Sequence, residues 1–127
     1  MNLVDSCGWL EYFAGGSNAE FFAPALEADA STVLVPTLCL YEVFKNVVAQ
    51  FGREQAIEKV AAMRQCTVIA LDESLALEAA VLSHSLKLPM ADSVILATAQ
   101  RLNAVLWTQD AHFENIDGVR YRAKPGT

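Results

Sequence analysis

"LVDSCGWLEYF" spans residues 3–13 and places one carboxylate between two apolar stretches. Leu3 and Val4 predict a short buried strand, and residues 6–13 predict an aromatic-rich helix with Ser6 as its N-cap. Asp5 therefore lies at the carboxyl end of the first strand. At that point a carboxylate either caps the following helix or binds a metal ion, and the rest of the chain has to distinguish the two.

Strand and helix patterns alternate along the remaining sequence. Runs of β-branched residues predict strands at 32–35, 66–71, 104–108 and 118–122. Apolar residues at i, i+3 and i+4 predict helices at 19–29, 37–51, 53–65, 73–86 and 90–102, with Pro24 delaying the start of the first of them. This order predicts a single domain over residues 1–127, with an α/β fold: a three-layer sandwich around a mostly parallel central sheet of four to five strands.

The charge balance excludes one way of binding nucleic acid. The chain of 127 residues has a net charge of −6, from 15 acidic and nine basic residues. A broad basic face, which would release counterions from a nucleic acid, is therefore not expected. A nuclease remains compatible with this charge, because bound divalent cations would offset part of the acidic excess.

Apolar residues make up 54% of the chain. No apolar run approaches the roughly 18 residues of a membrane span, and no basic segment precedes the first apolar stretch, so the sequence predicts a cytoplasmic protein without a membrane segment. The apolar excess predicts a buried sheet together with a homodimer or partner surface. Cys7, Cys39 and Cys66 are predicted to be buried, reduced thiols.

Four carboxylates occupy positions that a parallel sheet brings to one edge: Asp5, Glu42, Asp92 and Asp110. Ligands of such sheets bind outside the carboxyl ends of the strands. Taken alone, Asp5 is interpreted as a residue at the entry of a helix, Glu42 as an exposed helix residue and Asp110 as a turn residue. Asp92 differs, because its helical face continues through apolar side chains, where an isolated charge is costly.

Clustered carboxylates without basic partners repel one another unless divalent cations hold them together. Oxygen ligands favour Mg²⁺ or Mn²⁺ over zinc, and such a pocket suits phosphodiester cleavage. The sequence therefore predicts that all four carboxylates act in metal binding and catalysis. Ser6 and Thr108 offer hydroxyls beside two of them, either as supports of the site or as ordinary cap and turn residues.

The chain resembles PIN-domain ribonucleases, specifically VapC-type toxins of toxin–antitoxin pairs. "LVDSCGWLEYF" resembles the opening element of that family, and "PTLCLYEV" resembles the segment that carries its glutamate. "LPMADSVILATA" and "LWTQDAHF" resemble its third and closing acidic elements. By this resemblance Asp5, Glu42, Asp92 and Asp110 take the acidic positions and Thr108 the hydroxyl position. The resemblance also implies Mg²⁺- or Mn²⁺-dependent cleavage of RNA, a homodimer, and inhibition by a cognate antitoxin.

Other functions remain open at this point. A metal-independent ribonuclease would use His84 and His112, the two histidines of the chain, of which His84 is expected at the surface and His112 in a loop at the rim. A phosphotransfer receiver would need an acceptor aspartate where Asp72 reads as a helix cap. A phosphatase with an aspartate nucleophile would need Asp-x-Asp after the first strand. A PIN-like RNA-processing or RNA-binding module with weak or no catalytic activity is the remaining alternative.

The first two helices carry an unusual load of aromatic residues: Trp9, Tyr12, Phe13, Phe21 and Phe22. About half of them are expected in the core, because large aromatic side chains are mostly buried. The others are predicted to form a groove for an antitoxin segment, with Trp9 as a contact residue and an arginine of the antitoxin reaching the acidic pocket.

Overall fold

Five short strands form one sheet in the computed structural model, which describes residues 1–125. They are β1 (Asn2–Val4), β2 (Val33–Pro36), β3 (Thr67–Ile69), β4 (Val105–Thr108) and β5 (Val119–Tyr121). The strand order is β3-β2-β1-β4-β5, and each neighbouring pair is parallel. The predicted α/β class with a parallel central sheet is confirmed, and the sheet has no antiparallel pair among the residues described.

Six helices connect the strands: α1 (Ser6–Ala14), α2 (Ala19–Leu26), α3 (Thr37–Phe51), α4 (Arg53–Met63), α5 (Glu73–Leu86) and α6 (Met90–Arg101). The chain moves from β1 outward to β2 and β3, and then returns past β1 to β4. Because crossovers between parallel strands are right-handed, the return places α5 and α6 on the opposite face of the sheet from the first four helices. The chain changes direction between β1 and β4, which makes their carboxyl ends the expected place for a ligand.

The main core cluster is centred on β1, β2 and β4. The side chains of Leu3, Leu34 and Leu106 are almost completely buried there, together with Phe22 of α2 and Phe113. Helix α6 is buried along most of its length, from Asp92 to Ala99, as its apolar sequence predicted. A carboxylate at the start of this helix is therefore held against the core.

Several element boundaries differ from the sequence predictions. Pro24 lies inside α2, a helix of only eight residues, and does not delay its start. The hydrogen bond that Pro24 cannot donate would go to the carbonyl of Glu20, and because Glu20 is exposed, water can bind that carbonyl instead. Helix α2 ends at Leu26, since Asp29 caps a separate 3₁₀ turn at Ala30–Thr32. Thr32 belongs to that turn, so β2 begins at Val33 and not at Thr32.

The cysteine prediction is correct in chemistry and partly wrong in burial. All three cysteines are free thiols, but only Cys39 is fully buried, while Cys7 and Cys66 are half-buried. Within residues 1–125, no helix is long and apolar enough to cross a membrane. Large apolar side chains are nevertheless exposed on several helices, including Leu77 and Val81 on α5 and Phe51 at the end of α3.

Candidate functional site

Asp5 caps α1 and faces β4 with the same carboxylate. Its Oδ1 accepts a hydrogen bond from the Ser6 backbone N–H (2.8 Å), so Asp5, and not Ser6, is the N-cap. Its Oδ2 accepts the Thr108 hydroxyl (2.8 Å). Burial raises the pKa of Asp5 to about 6, even though donors on Thr108 and Cys7 act in the opposite direction. The capping and site interpretations of Asp5 are therefore not alternatives, because one side chain occupies both positions.

Glu42 reaches the same region from the second turn of α3. The Ser6 hydroxyl donates to Glu42 Oε1 at 2.6 Å, and its oxygen also lies 3.3 Å from Asp5 Oδ1. The Cys39 thiol is close by, so that ligand atoms of Asp5, Cys39 and Glu42 lie within 4.8 Å of one another. Burial, and after it the negative charges of Asp5 and Glu42, raise the pKa of Cys39. Ser6 thus bridges two of the predicted site carboxylates.

Asp92 and Asp110 form a second group with His112. His112 Nδ1 lies 2.8 Å from Asp92 Oδ2 and 3.2 Å from Asp110 Oδ1. Burial raises the pKa of Asp92, as does the charge of Asp110, while His112 opposes the change. The pKa of His112 is raised in turn, chiefly by its hydrogen bond to Asp92.

One cavity of about 220 Å³ is lined by carboxylates from both groups. All four carboxylates predicted from the sequence line it, beside Ser6 and Cys7. Within residues 1–125, no Lys or Arg lines this cavity, and neither residue type forms an ion pair with any of the four carboxylates. The site therefore concentrates negative charge that the protein itself leaves largely uncompensated.

A PIN-domain family model matches residues 3–119. The chain belongs to the PIN-domain family. Its matched region contains every residue that lines the acidic cavity, from Asp5 to Asp110.

Solved structures share the fold of this PIN domain over almost its whole length. A toxin–antitoxin complex from Klebsiella pneumoniae contains a chain with 26% identity and a TM-score of 0.78, covering 94% of this chain and 96% of that one. VapC20 from Mycobacterium tuberculosis, described as a toxin that cleaves the sarcin–ricin loop, has 17% identity and a TM-score of 0.72, covering 92% and 95%. VapBC2 from Rickettsia felis, bound to a promoter DNA fragment, has 15% identity and a TM-score of 0.71, covering 96% and 97%. No curated protein sequence matches the chain.

In this PIN domain, His112 lies closer to the acidic site than its sequence position predicts. It was expected in a loop at the rim, and its side chain is indeed 57% exposed, but its ring contacts both Asp92 and Asp110. The sequence feature that indicates these contacts is the spacing of Asp110 and His112 in "TQDAHF", because a tight turn brings residues i and i+2 to the same side. His84 is exposed on α5, as expected.

Trp9 corrects the prediction for the aromatic residues. Its side chain is only 4% exposed and packs in the core, so the prediction that it contacts an antitoxin is wrong. Phe22 is also buried, while Tyr12, Phe13 and Phe21 are half-buried. Phe13 lines a larger cavity of about 770 Å³, which adjoins the acidic cavity and shares Cys7, Leu10 and Asn46 with it.

The donor atoms of the site fit a divalent cation. Carboxylate oxygens dominate the cavity, and such ligands suit hard cations of the Mg²⁺ and Mn²⁺ type. Burial raises the pKa of Asp5, and none of the ion pairs within residues 1–125 gives this carboxylate a positive partner. The site thus has both the ligands for a cation and an electrostatic reason to bind one.

Proposed function

We propose that this PIN domain is a metal-dependent endoribonuclease and the toxin of a toxin–antitoxin pair, acting in the cytoplasm. The observation that carries this proposal is the convergence of four carboxylates on one cavity that, within residues 1–125, no lysine or arginine lines. The fold shared with the toxin–antitoxin complex from Klebsiella pneumoniae supports the assignment to this class.

The proposed cofactor is Mg²⁺ or Mn²⁺. Asp5, Asp92 and Asp110 would bind the ion through carboxylate oxygens, and Glu42 directly or through a water molecule. When bound, such an ion supplies the positive charge that activates a water molecule and stabilises the leaving oxygen of a phosphodiester. Thr108 and Ser6 hold Asp5 and Glu42 in position by donating hydrogen bonds to them, and this leaves the other carboxylate lone pairs free for the ion.

RNA cleavage with and without Mn²⁺ tests this function. We expect that replacing Asp5, Glu42, Asp92 or Asp110 by its amide lowers the cleavage rate about 10²-fold or more, the scale on which loss of one group that stabilises the transition state acts. Asp117→Asn is the matched control, because Asp117 is an exposed carboxylate outside the cavity.

Three outcomes of that experiment would contradict the proposal. Full activity of Asp5→Asn would remove Asp5 from the site. Cleavage that survives EDTA would favour a mechanism based on histidine. Absence of metal-stimulated cleavage across varied RNAs would favour a non-catalytic PIN-like binding module.

The proposed antitoxin-binding surface is the larger cavity beside the acidic site. Phe13 and Leu10 give it apolar contacts, Lys59 and Lys124 provide positive charge, and its shared wall leads to Asp5 and Glu42. An extended antitoxin segment in this cavity would place an arginine among the uncompensated carboxylates, where a bidentate pair is strong.

Hydrogen exchange in the presence of the cognate antitoxin checks this placement. We expect added protection in residues 10–17 and around Lys59, and little change along exposed α5. Protection confined to α5 would move the antitoxin to the other face of the sheet.

We also propose a homodimer, supported by exposed Leu77 and Val81 on α5, since burial of such side chains stabilises association.

A further inference from the structure

His112 is held against two of the site carboxylates by its own backbone. Asp110 caps the 3₁₀ turn at Ala111–Phe113, and its Oδ1 accepts the His112 backbone N–H at 2.9 Å. Phe113, the next residue, is completely buried and anchors the turn in the core. The imidazole therefore emerges from an anchored turn, and its position beside Asp92 does not depend on a flexible loop.

The two contacts of His112 match the spacing of neighbouring ligands on one ion, and ligand atoms of Asp92, Asp110 and His112 all lie within 4.8 Å of one another. His112 Nδ1 lies 2.8 Å from Asp92 Oδ2 and 3.2 Å from Asp110 Oδ1. Neighbouring ligands on an octahedral ion with bonds of about 2.1 Å lie about 3 Å apart. A cation could therefore enter between these atoms with small side-chain movements.

We propose that His112 binds the divalent cation through Nδ1, together with Asp92 and Asp110. This inference rests on the proposed metal site and deepens it, because it adds a nitrogen ligand to a set otherwise made of oxygen. Imidazole favours Mn²⁺, Co²⁺ and Ni²⁺ increasingly along that series, whereas Mg²⁺ prefers oxygen ligands. His112 thus makes the site selective for transition metals over Mg²⁺.

The two histidines of the chain allow a direct spectroscopic test. The full-length protein is loaded with Mn²⁺, and electron spin-echo envelope modulation detects any imidazole nitrogen bound to the ion. We expect nitrogen modulation in the wild type and in His84→Ala, because His84 is exposed on α5 and does not belong to the group formed by Asp92, Asp110 and His112. His112→Ala and His112→Asn should both lose the modulation while still binding Mn²⁺.

Binding titrations give a second readout. We expect Ni²⁺ and Co²⁺ affinity to fall at least about tenfold in His112→Ala, the scale on which even indirect changes to a metal site act, with little change for Mg²⁺. A melting curve of each variant shows that it is folded, and His112→Asn provides a second variant should His112→Ala fail that check.

The outcomes separate this inference from the function on which it rests. A wild-type protein that binds no Mn²⁺ overturns the metal site as a whole. Mn²⁺ bound without nitrogen modulation overturns the role of His112 alone and leaves a site made only of carboxylates. Modulation that persists in both His112 variants also overturns it.

Discussion

The hydroxyl of Thr108 joins the two strand ends that meet where the chain reverses direction. It donates to Asp5 Oδ2 at 2.8 Å and accepts the Asp110 backbone N–H at 3.0 Å. Because Thr108 is completely buried, no water competes for either bond. One side chain therefore fixes the carboxylate after β1 relative to the carboxylate after β4.

Thr108→Val tests this link at nearly constant volume. The change leaves a donor at Asp110 and an acceptor at Asp5 without their partner, so we expect the free energy of unfolding to fall by about 1–3 kcal/mol in urea titrations. Thr108→Ser should restore most of the loss. Thr67→Val on exposed β3 is the control and should change the free energy of unfolding by less than about 0.5 kcal/mol. Equal stability of Thr108→Val and wild type would show that the hydroxyl does not organise the site.

At the level of elements, strands and helices were predictable wherever local pattern and burial agreed. The apolar run of α6 indicated a buried helix, and the β-branched run before Pro36 indicated β2, because both patterns reflect the packing that the elements receive. Two boundaries depended on individual side-chain hydrogen bonds instead. Thr32 belongs to a 3₁₀ turn and not to β2, because Asp29 caps that turn. Asp5, and not Ser6, is the N-cap of α1, because its carboxylate accepts the Ser6 backbone N–H as well as the Thr108 hydroxyl.

The turn between α1 and α2 contains a polar network that local pattern did not reveal. Glu11 is buried, and its carboxylate accepts Gln109 Nε2 at 3.1 Å and the Asn18 backbone N–H at 3.4 Å. Asn18 Nδ2 donates in turn to Gln109 Oε1 at 3.1 Å. Since Gln109 lies between Thr108 and Asp110, the network ties this turn to the segment that carries two site residues.

Gly16→Ala should break this network. A Cβ on Gly16 would overlap Glu11 Oε1, and the carboxylate has little freedom to move because both Gln109 and Asn18 hold it. We expect the free energy of unfolding to fall by about 1–3 kcal/mol, as in other overpacked sites. Ser17→Ala, at the exposed neighbouring position, should have almost no effect in the same urea titration. A loss no greater than that of the control would mean that the turn repacks freely around Glu11.

At the scale of the whole molecule, parallel topology explains how much of the candidate site the sequence predicted. Asp5 directly follows β1 and Asp110 lies just beyond β4, so their side chains approach one edge of a parallel sheet. Glu42 reaches that edge from the second turn of α3 and Asp92 from the first turn of α6, and the structure places all four carboxylates in one cavity. The contacts of His112 and Cys39 were not predictable in this way. They depend on the geometry of one turn and on the packing of α3 against α1, which no periodic pattern encodes.

The acidic cavity also affects the stability of the whole fold. A carboxyl group whose pKa is higher in the folded than in the unfolded protein binds more protons when folded. Its contribution to stability is therefore present at low pH and is lost as the pH rises through the folded pKa. The pKa values of Asp5 and Asp92 are both raised, that of Asp5 to about 6. As the pH rises and these carboxyls ionise, their charge destabilises the metal-free protein, and a cation that binds only the folded state reverses this effect.

Asp92→Asn should therefore stabilise or leave unchanged the metal-free protein, although most substitutions of buried residues destabilise. The amide removes a disfavoured charge at nearly constant volume, and the lost ion pair to half-exposed His112 is worth little. In EDTA at pH 7 we expect the mutant to melt at or above the wild type, and this difference should shrink as the pH is lowered, because the Asp92 carboxyl, whose pKa burial raises, then takes up a proton. Mn²⁺ at a hundredfold excess over Kd should stabilise the wild type by about 2.7 kcal/mol, which raises its melting temperature by about 10 °C, and should stabilise the mutant far less.

A mutant that melts several degrees lower in EDTA and still responds to Mn²⁺ like the wild type would identify Asp92 as a structural carboxylate, because a metal ligand cannot be removed without weakening that response.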